Sequence, residues 1–136
     1  MGTQMALPND AVPLLPGEVE IIPGDFAAGV LLLCDHATNA IPAEFGALGL
    51  PQQQLERHIA YDIGAAEMTR AMAAALGAPA VLSNFSRLLI DPNRGRDDPT
   101  LVMRISDGAL VPGNARIDEA GIAERILRYY APYDAA

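Results

Sequence analysis

An α/β layered fold is what this sequence predicts, on three observations. The run Val30-Leu31-Leu32-Leu33-Cys34 is continuously apolar between Gly29 and Asp35, as expected for a strand buried on both faces of a parallel sheet. A helical pattern runs from Pro51 to Leu76 and is stopped by Gly77 and Pro79. Strand-like and helix-like segments then alternate along the chain, which is the pattern of a sheet covered by helices.

Taken in order, residues 1 to 17 form a lead-in broken by Pro8, Pro13 and Pro16, and residues 18–136 form one domain. Val19 to Ile22 is a short strand stopped by Pro23-Gly24. After the Val30–Cys34 strand, Asp35 to Asn39 is a polar loop at the carboxyl end, where open α/β sheets bind ligands. Pro51 opens the helix, since proline fits a first helical turn. Ala80 to Ser83 and Leu88 to Ile90 are the next strands. Residues 91–115 carry Pro92, Gly95, Pro99, Gly108, Pro112 and Gly113, so they read as a long loop with one short strand at Leu101 to Met103. Asp118 caps a last helix that ends near Tyr130.

Composition narrows the function classes. Of 136 residues, 51% are apolar and 19% charged, which predicts a folded domain rather than disorder. The net charge of −8 disfavours nucleic acid and anionic lipid as partners. No apolar run approaches a membrane span, and the first residues lack the basic start and apolar core of a signal peptide. The expectation is a cytoplasmic protein. The single Cys34 excludes an internal disulfide. All nine basic residues are arginine, and Arg87, Arg94, Arg96 and Arg104 fall within one stretch.

Three constellations can carry chemistry. Cys34-Asp35-His36-Ala37-Thr38-Asn39 gathers a carboxylate, an imidazole and a carboxamide at a strand end. Such an imidazole can bind a divalent metal or move protons, or the loop can simply be built on Asp and Asn turn hydrogen bonds. His58-Ile59-Ala60-Tyr61-Asp62 places His58 and Asp62 on the apolar face of the expected helix. There they either satisfy each other, or Asp62 joins His36 at a metal. Phe85-Ser86-Arg87-Leu88-Leu89-Ile90-Asp91-Pro92-Asn93-Arg94 offers guanidinium and carboxamide groups suited to a small dicarboxylate. Its plainer reading is Arg94 paired with Asp91 or Asp97 at the surface. Ser106-Asp107-Gly108 and Val111-Pro112-Gly113-Asn114 are turn chemistry. No Gly-x-Ser-x-Gly, His-Glu-x-x-His, phosphate-binding loop or cysteine pair occurs.

These segments, in this order, resemble the N-formylglutamate amidohydrolase family. The matching stretches are Cys34 to Pro42, His58 to Ala65, Phe85 to Arg94, Ser106-Asp107-Gly108 and Val111 to Asn114, so the resemblance covers about residue 28 to the end. It implies a three-layer α/β/α sandwich with a mostly parallel or mixed sheet, phosphorylase/hydrolase-like and incomplete here, since the family's chain continues further. It implies a metal-dependent hydrolase of a linear amide, typically N-formyl-L-glutamate, cleaved to formate and glutamate in histidine degradation. The implied cofactor is a divalent metal, zinc by type, with His36 in the ligand position. Relatives carry a glutamate ligand three residues on, where this chain has Asn39; Asp62 is the replacement candidate. Asn93 and Arg94, with Arg87, would grip the substrate's carboxylates. The partner expected is therefore a small N-acyl amino acid, and the water-activating acid is expected beyond residue 136.

Overall fold

The computed structural model describes residues 19–136; the proposed lead-in, residues 1–17, lies outside the described residues. Strand β1 (Val19–Ile22) and strand β2 (Leu32–Cys34) flank the central strand β3 (Ala80–Ser83). β1 runs antiparallel to β3 from Val19 opposite Ser83 to Ile22 opposite Ala80, and β2 runs parallel to it from Leu32 opposite Ala80 to Cys34 opposite Leu82. The sheet is thus small and mixed. Strand residues alternate between faces, so Leu32 and Cys34 join Ala80, Leu82, Ala66 and Ala73 beneath a covering helix. Alanines at these helix positions let helix and sheet approach closely.

β2 corrects the first expectation. It lies at one side of the sheet, and Val30, Leu31 and Leu33 are exposed, with Leu33 at 62%. Only Cys34 of the expected strand is buried.

The expected helix from Pro51 to Leu76 is two helices, α1 (Gln52–Leu55) and α2 (Ala65–Leu76). Gly64, at φ +84°, supplies a left-handed residue at the start of α2, and Gly77 at φ +63° closes it. Between the helices, Ile59 and Ala60 enter the core. The Ala60 carbonyl accepts from the Ser86 hydroxyl at 2.8 Å and from the Arg87 amide at 3.3 Å, partners that replace the helical ladder.

Leu88 to Ile90 are completely buried but form no strand. Two of their carbonyls are satisfied by side chains: Asn114 Nδ2 donates to Leu88 O at 2.7 Å, and Arg125 donates to Leu89 O at 2.9 Å. Leu101 to Met103 are likewise buried coil, with Leu101 O accepting from the Asp91 amide and Met103 O from Asn114. The one hairpin of the long loop comes slightly later, as β4 (Ile105–Ser106) and β5 (Ala109–Leu110). Its turn is Asp107-Gly108, both at positive φ, as a two-residue hairpin turn with right-handed strand twist requires.

Asp118 caps the last helix as expected, accepting from Gly121 N at 2.8 Å. The helix extends past Tyr130, running as α3 (Glu119–Arg125), a π-helical turn (Ile126–Tyr130) and α4 (Ala131–Ala135). Ile122, Ile126 and Tyr130 lie at helical spacing and pack against the main core, the two isoleucines only partly buried, and there Phe85 meets Tyr129 and Tyr133 at centroid distances of 5.7 and 6.3 Å. Beneath this aromatic group lie Leu48, Leu88, Leu89, Ile90, Leu101 and Val111.

Candidate functional site

Two chain segments create the site. The first is the loop after β2. Ser83, at the end of β3, donates to Asp35 O at 2.7 Å and accepts from the Ala37 amide at 3.4 Å, so the loop is pinned to the sheet on both sides of His36. The second is the turn from Arg87 to Arg94, which the Asn114 and Arg125 side chains hold from below.

Between them lies Asp91, 1% exposed. Its Oδ1 accepts from His36 Nε2 at 2.7 Å and from the Asn93 amide at 2.9 Å. Its Oδ2 accepts from Arg87 at 3.2 Å and from Arg94 Nε at 3.2 Å. Burial alone would push the carboxyl up. The His36 and Asn93 hydrogen bonds and the charges of His36 and Arg87 outweigh it and bring the pKa down to about 2. Asp91 is therefore a fixed anion and the hub of the cluster.

His36 is buried. Its other ring nitrogen, Nδ1, lies 3.3 Å from Asp62 Oδ2. Burial pulls its pKa down, yet the hydrogen bond and charge of Asp91 raise it above the ordinary histidine value. Two carboxylates on opposite ring nitrogens favour the imidazolium. When that proton leaves Nδ1, its lone pair and the Asp62 oxygen face each other, and a cation answers both. Because Asp91 holds Nε2, Nδ1 is the nitrogen available to such a cation.

Asp62 reaches this position by a route other than the expected helix face. It sits in the loop before α2, its side chain 54% exposed, and its amide donates to His36 O at 3.0 Å. His58 does not join it. The ring points to solvent, 3.3 Å from Asp107 Oδ2, an oxygen that also accepts from Arg57 at 2.9 Å. Asn39 is turned to another task, donating to Leu55 O at 2.8 Å and tying the loop to α1.

The expected anion-binding residues divide in two. Arg87 is committed inward, between Asp91 and Asp62, the latter at 3.6 Å, and its Nε is buried with no partner among the described residues. Arg94 is pinned by Asp91 through Nε and donates to Thr100 Oγ1 at 2.5 Å through a terminal nitrogen, while remaining a third exposed. The Asn93 carboxamide is exposed and makes no hydrogen bond among the described residues. Asn93 and Arg94 thus offer groups to solvent at the rim of the cluster, and Arg87 contributes charge from inside it.

Sequence reasoning treated Asp91 only as a possible surface partner of Arg94, and passed over Tyr133. The Tyr133 hydroxyl donates to Asp35 Oδ1 at 2.5 Å; burial, then the Asp35 hydrogen bond and charge, push that phenol well above its usual range. A carboxylate between an apolar run and Pro92, with arginines at three and four residues' distance, was the available signal for Asp91.

Can these groups hold a metal? An imidazole nitrogen and a carboxylate oxygen are donors suited to zinc, and a catalytic zinc commonly takes three protein ligands. No group of three histidine, cysteine or acidic side chains placed to hold an ion occurs among the described residues. His36 and Asp62 fit as part of a site.

Fold and cluster together define a mixed α/β protein in which a buried Asp91–His36 pair meets the more exposed Asp62 and two arginines in the loops after its sheet. Residues 28–136 match the sequence model of the N-formylglutamate amidohydrolases, and the chain belongs to that family. Among solved structures, it is similar to a gene product of Agrobacterium tumefaciens, with 33% identity and a TM-score of 0.80 over 88% of this chain. It shares its fold with an N-formylglutamate amidohydrolase of Ralstonia eutropha, at 23% identity and a TM-score of 0.64, again over 88% of this chain. In both cases the match spans 48% of the other protein, so the chain corresponds to about half the length of these relatives. No curated protein matches it significantly. No helix among the described residues is long and apolar enough to cross a membrane.

Proposed function

We propose that this chain carries the substrate-gripping and partial metal-binding half of an amide hydrolase acting on N-formyl or other N-acyl amino acids, with N-formyl-L-glutamate, cleaved to formate and glutamate, as the leading substrate. The observation that carries the proposal is the His36 relay. A buried aspartate orients the imidazole through Nε2 and leaves Nδ1 beside a second, more exposed carboxylate. His36 and Asp62 would hold a divalent ion, zinc by donor type. Such an ion, when bound, polarises a carbonyl and lowers the pKa of bound water. Arg94 and Asn93 would receive a substrate carboxylate at the rim, and Arg87 would hold Asp91 and Asp62 in place while adding positive charge behind them. The water-activating acid and a further metal donor are assigned to none of these residues. In the complete enzyme the small mixed sheet would belong to a three-layer α/β/α sandwich.

A second reading, a non-catalytic domain that binds small anions, is favoured by the donor count of two. One experiment separates them. The purified chain is titrated with Zn²⁺ and with glutamate by calorimetry, and formate release from N-formyl-L-glutamate is measured with and without metal. Zinc binding that is lost in His36→Ala supports the metal half-site. Glutamate binding without any zinc binding supports the anion-binding domain. Unchanged zinc content in His36→Ala removes His36 as a ligand.

A further inference from the structure

We propose that Tyr130 and Tyr133 are positioning residues for different parts of the site. Tyr133 fixes the His36 loop through the Asp35 carboxylate, and Tyr130 fixes the Asn93–Arg94 rim through the Arg94 carbonyl. What each part is used for rests on the metal and carboxylate roles proposed above. Which tyrosine holds which part does not.

Three of the chain's four tyrosines fall within residues 129–133, so the last helix gathers nearly all its phenols at one place. Tyr129 packs into the core against Phe85. Tyr130 and Tyr133 are three residues apart and so share a side of the helix. Both are buried, and both end on a hydrogen bond, as a buried phenol requires.

Their acceptors belong to separate segments. Tyr133 donates to Asp35 Oδ1 at 2.5 Å. Asp35 directly precedes His36, and Ser83 donates to its carbonyl at 2.7 Å. Asp35 is therefore held by its side chain from the last helix and by its backbone from β3. The next carbonyl, His36 O, accepts from the Asp62 amide at 3.0 Å. A loop that slackens at Asp35 loosens His36 and its tie to Asp62 together. Tyr130 instead donates to Arg94 O at 2.7 Å, and the Arg96 guanidinium lies 5.3 Å from the centre of its ring. The Arg94 amide donates to Asp91 O at 3.2 Å, which closes the turn that presents Asn93 and Arg94. A bond to a carboxylate is stronger than one to a neutral carbonyl, so losing the Tyr133 hydroxyl has the larger effect.

The test removes one hydroxyl at a time and keeps each ring, with Tyr133→Phe and Tyr130→Phe in the metal-free chain. Hydrogen exchange is followed by nuclear magnetic resonance at two amides. Asp62 N–H reports the His36 loop, and Arg94 N–H reports the rim. Tyr133→Phe should speed exchange at Asp62 about tenfold and leave Arg94 within about twofold. Tyr130→Phe should speed exchange at Arg94 about fivefold and leave Asp62 within about twofold. Asp35→Asn keeps an oxygen acceptor for Tyr133 and should leave the Asp62 amide as it is, whereas Asp35→Ala should match Tyr133→Phe. Calorimetry should divide the same way, with Zn²⁺ binding weakened in Tyr133→Phe alone and glutamate binding in Tyr130→Phe alone. Equal changes at the two amides, or none, overturn the proposal, because packing then accounts for both rings. So does an Asp62 amide that is unchanged in Asp35→Ala. A crossed exchange pattern in a chain that binds neither Zn²⁺ nor glutamate upholds the two assignments and removes the metal and carboxylate reading instead.

Discussion

Replacing Arg125 by Met should cost about 2–5 kcal/mol of stability, because two buried acceptors lose their donor. Arg125 is buried, 5% exposed, and has no carboxylate within ion-pair distance among the described residues. It donates to Leu89 O at 2.9 Å and to Asn114 Oδ1 at 2.7 Å, and lies 5.0 Å from the centre of the Phe45 ring. Asn114 in turn donates to Leu88 O and Met103 O. Methionine preserves much of the volume but strands two buried acceptors, each worth about 1–3 kcal/mol when left unsatisfied. Loss of the ring contact adds a further fraction. Against a total stability of about 5–15 kcal/mol for a domain this size, that is a large loss. Urea denaturation followed by circular dichroism measures it. Arg70→Ala is the control, since its pair with Glu20 is exposed and should cost no more than about 1 kcal/mol. A double-mutant cycle of Arg125→Met with Asn114→Ala should show coupling above about 1 kcal/mol. If Arg125→Met costs no more than Arg70→Ala, side chains do not anchor the 88–90 turn and the account of that turn is wrong.

Three further expectations follow from the cluster and its surroundings. Asp91, lowered from 3.8 to about 2, stabilises the metal-free fold above its unfolded pKa and loses that contribution as pH falls through the folded value, about 2 kcal/mol in all. His36, whose pKa is raised, contributes below its unfolded value and loses that contribution as pH rises through the folded one; urea midpoints against pH should fall on both sides, and Asp91→Asn should flatten the acid limb. On the proposed function, Arg94→Ala should weaken binding of an N-acyl amino acid such as N-formyl-L-glutamate by about 1.5–3 kcal/mol, the value of a hydrogen bond to a charged group, with a much smaller change in melting temperature; calorimetry showing unchanged affinity beside a lower melting temperature would make Arg94 a structural ion pair. Gly64→Ala should cost about 1–2 kcal/mol from left-handed backbone strain alone, since an added Cβ at φ +84° meets nothing within 4 Å; thermal melts of the two proteins decide it.

What could be read from the sequence follows from how local each feature is. β1, β3, the stop at Gly77 and the Asp118 cap depend on short patterns and are where periodicity puts them. The break at Gly64 was hidden because an apolar-periodic stretch tolerates one glycine, and only the burial of Ile59 and Ala60 shows that the chain leaves the helix. Leu88 to Ile90 imitated a strand because complete burial gives the same apolar run whether carbonyls are satisfied by a neighbouring strand or by Asn114 and Arg125. The exposed β2 was misjudged for a related reason. Its apolar run matches that of a strand buried on both faces, and sequence does not say which of its residues another element covers. In the cluster, His36 and Arg94 were conspicuous by residue type. Asp91 was not, because a buried hub and a surface ion-pair partner look the same until their burial is known.

The cluster is also held from a distance that no motif spans. The π-helical turn and α4 place Tyr130 and Tyr133 on one side of the last helix, with Tyr133 against Phe85. Tyr130 donates to Arg94 O at 2.7 Å, and Tyr133 donates to Asp35 Oδ1 at 2.5 Å. One hydroxyl therefore fixes the rim that presents Asn93 and Arg94, and the other fixes the loop that presents His36. Between these two points, the Asp91 carboxylate joins His36 to both arginines. The two segments that bear the candidate chemistry are thus tied to each other through one buried anion and to the same helix through two phenols. A wider π-helical turn just before α4 shifts the helical phase, since such a turn carries an extra residue. It lies in the segment between Arg125, which is fixed to the core below, and Tyr133, which must reach Asp35 above. On this geometry the irregular turn is what lets one helix meet both constraints.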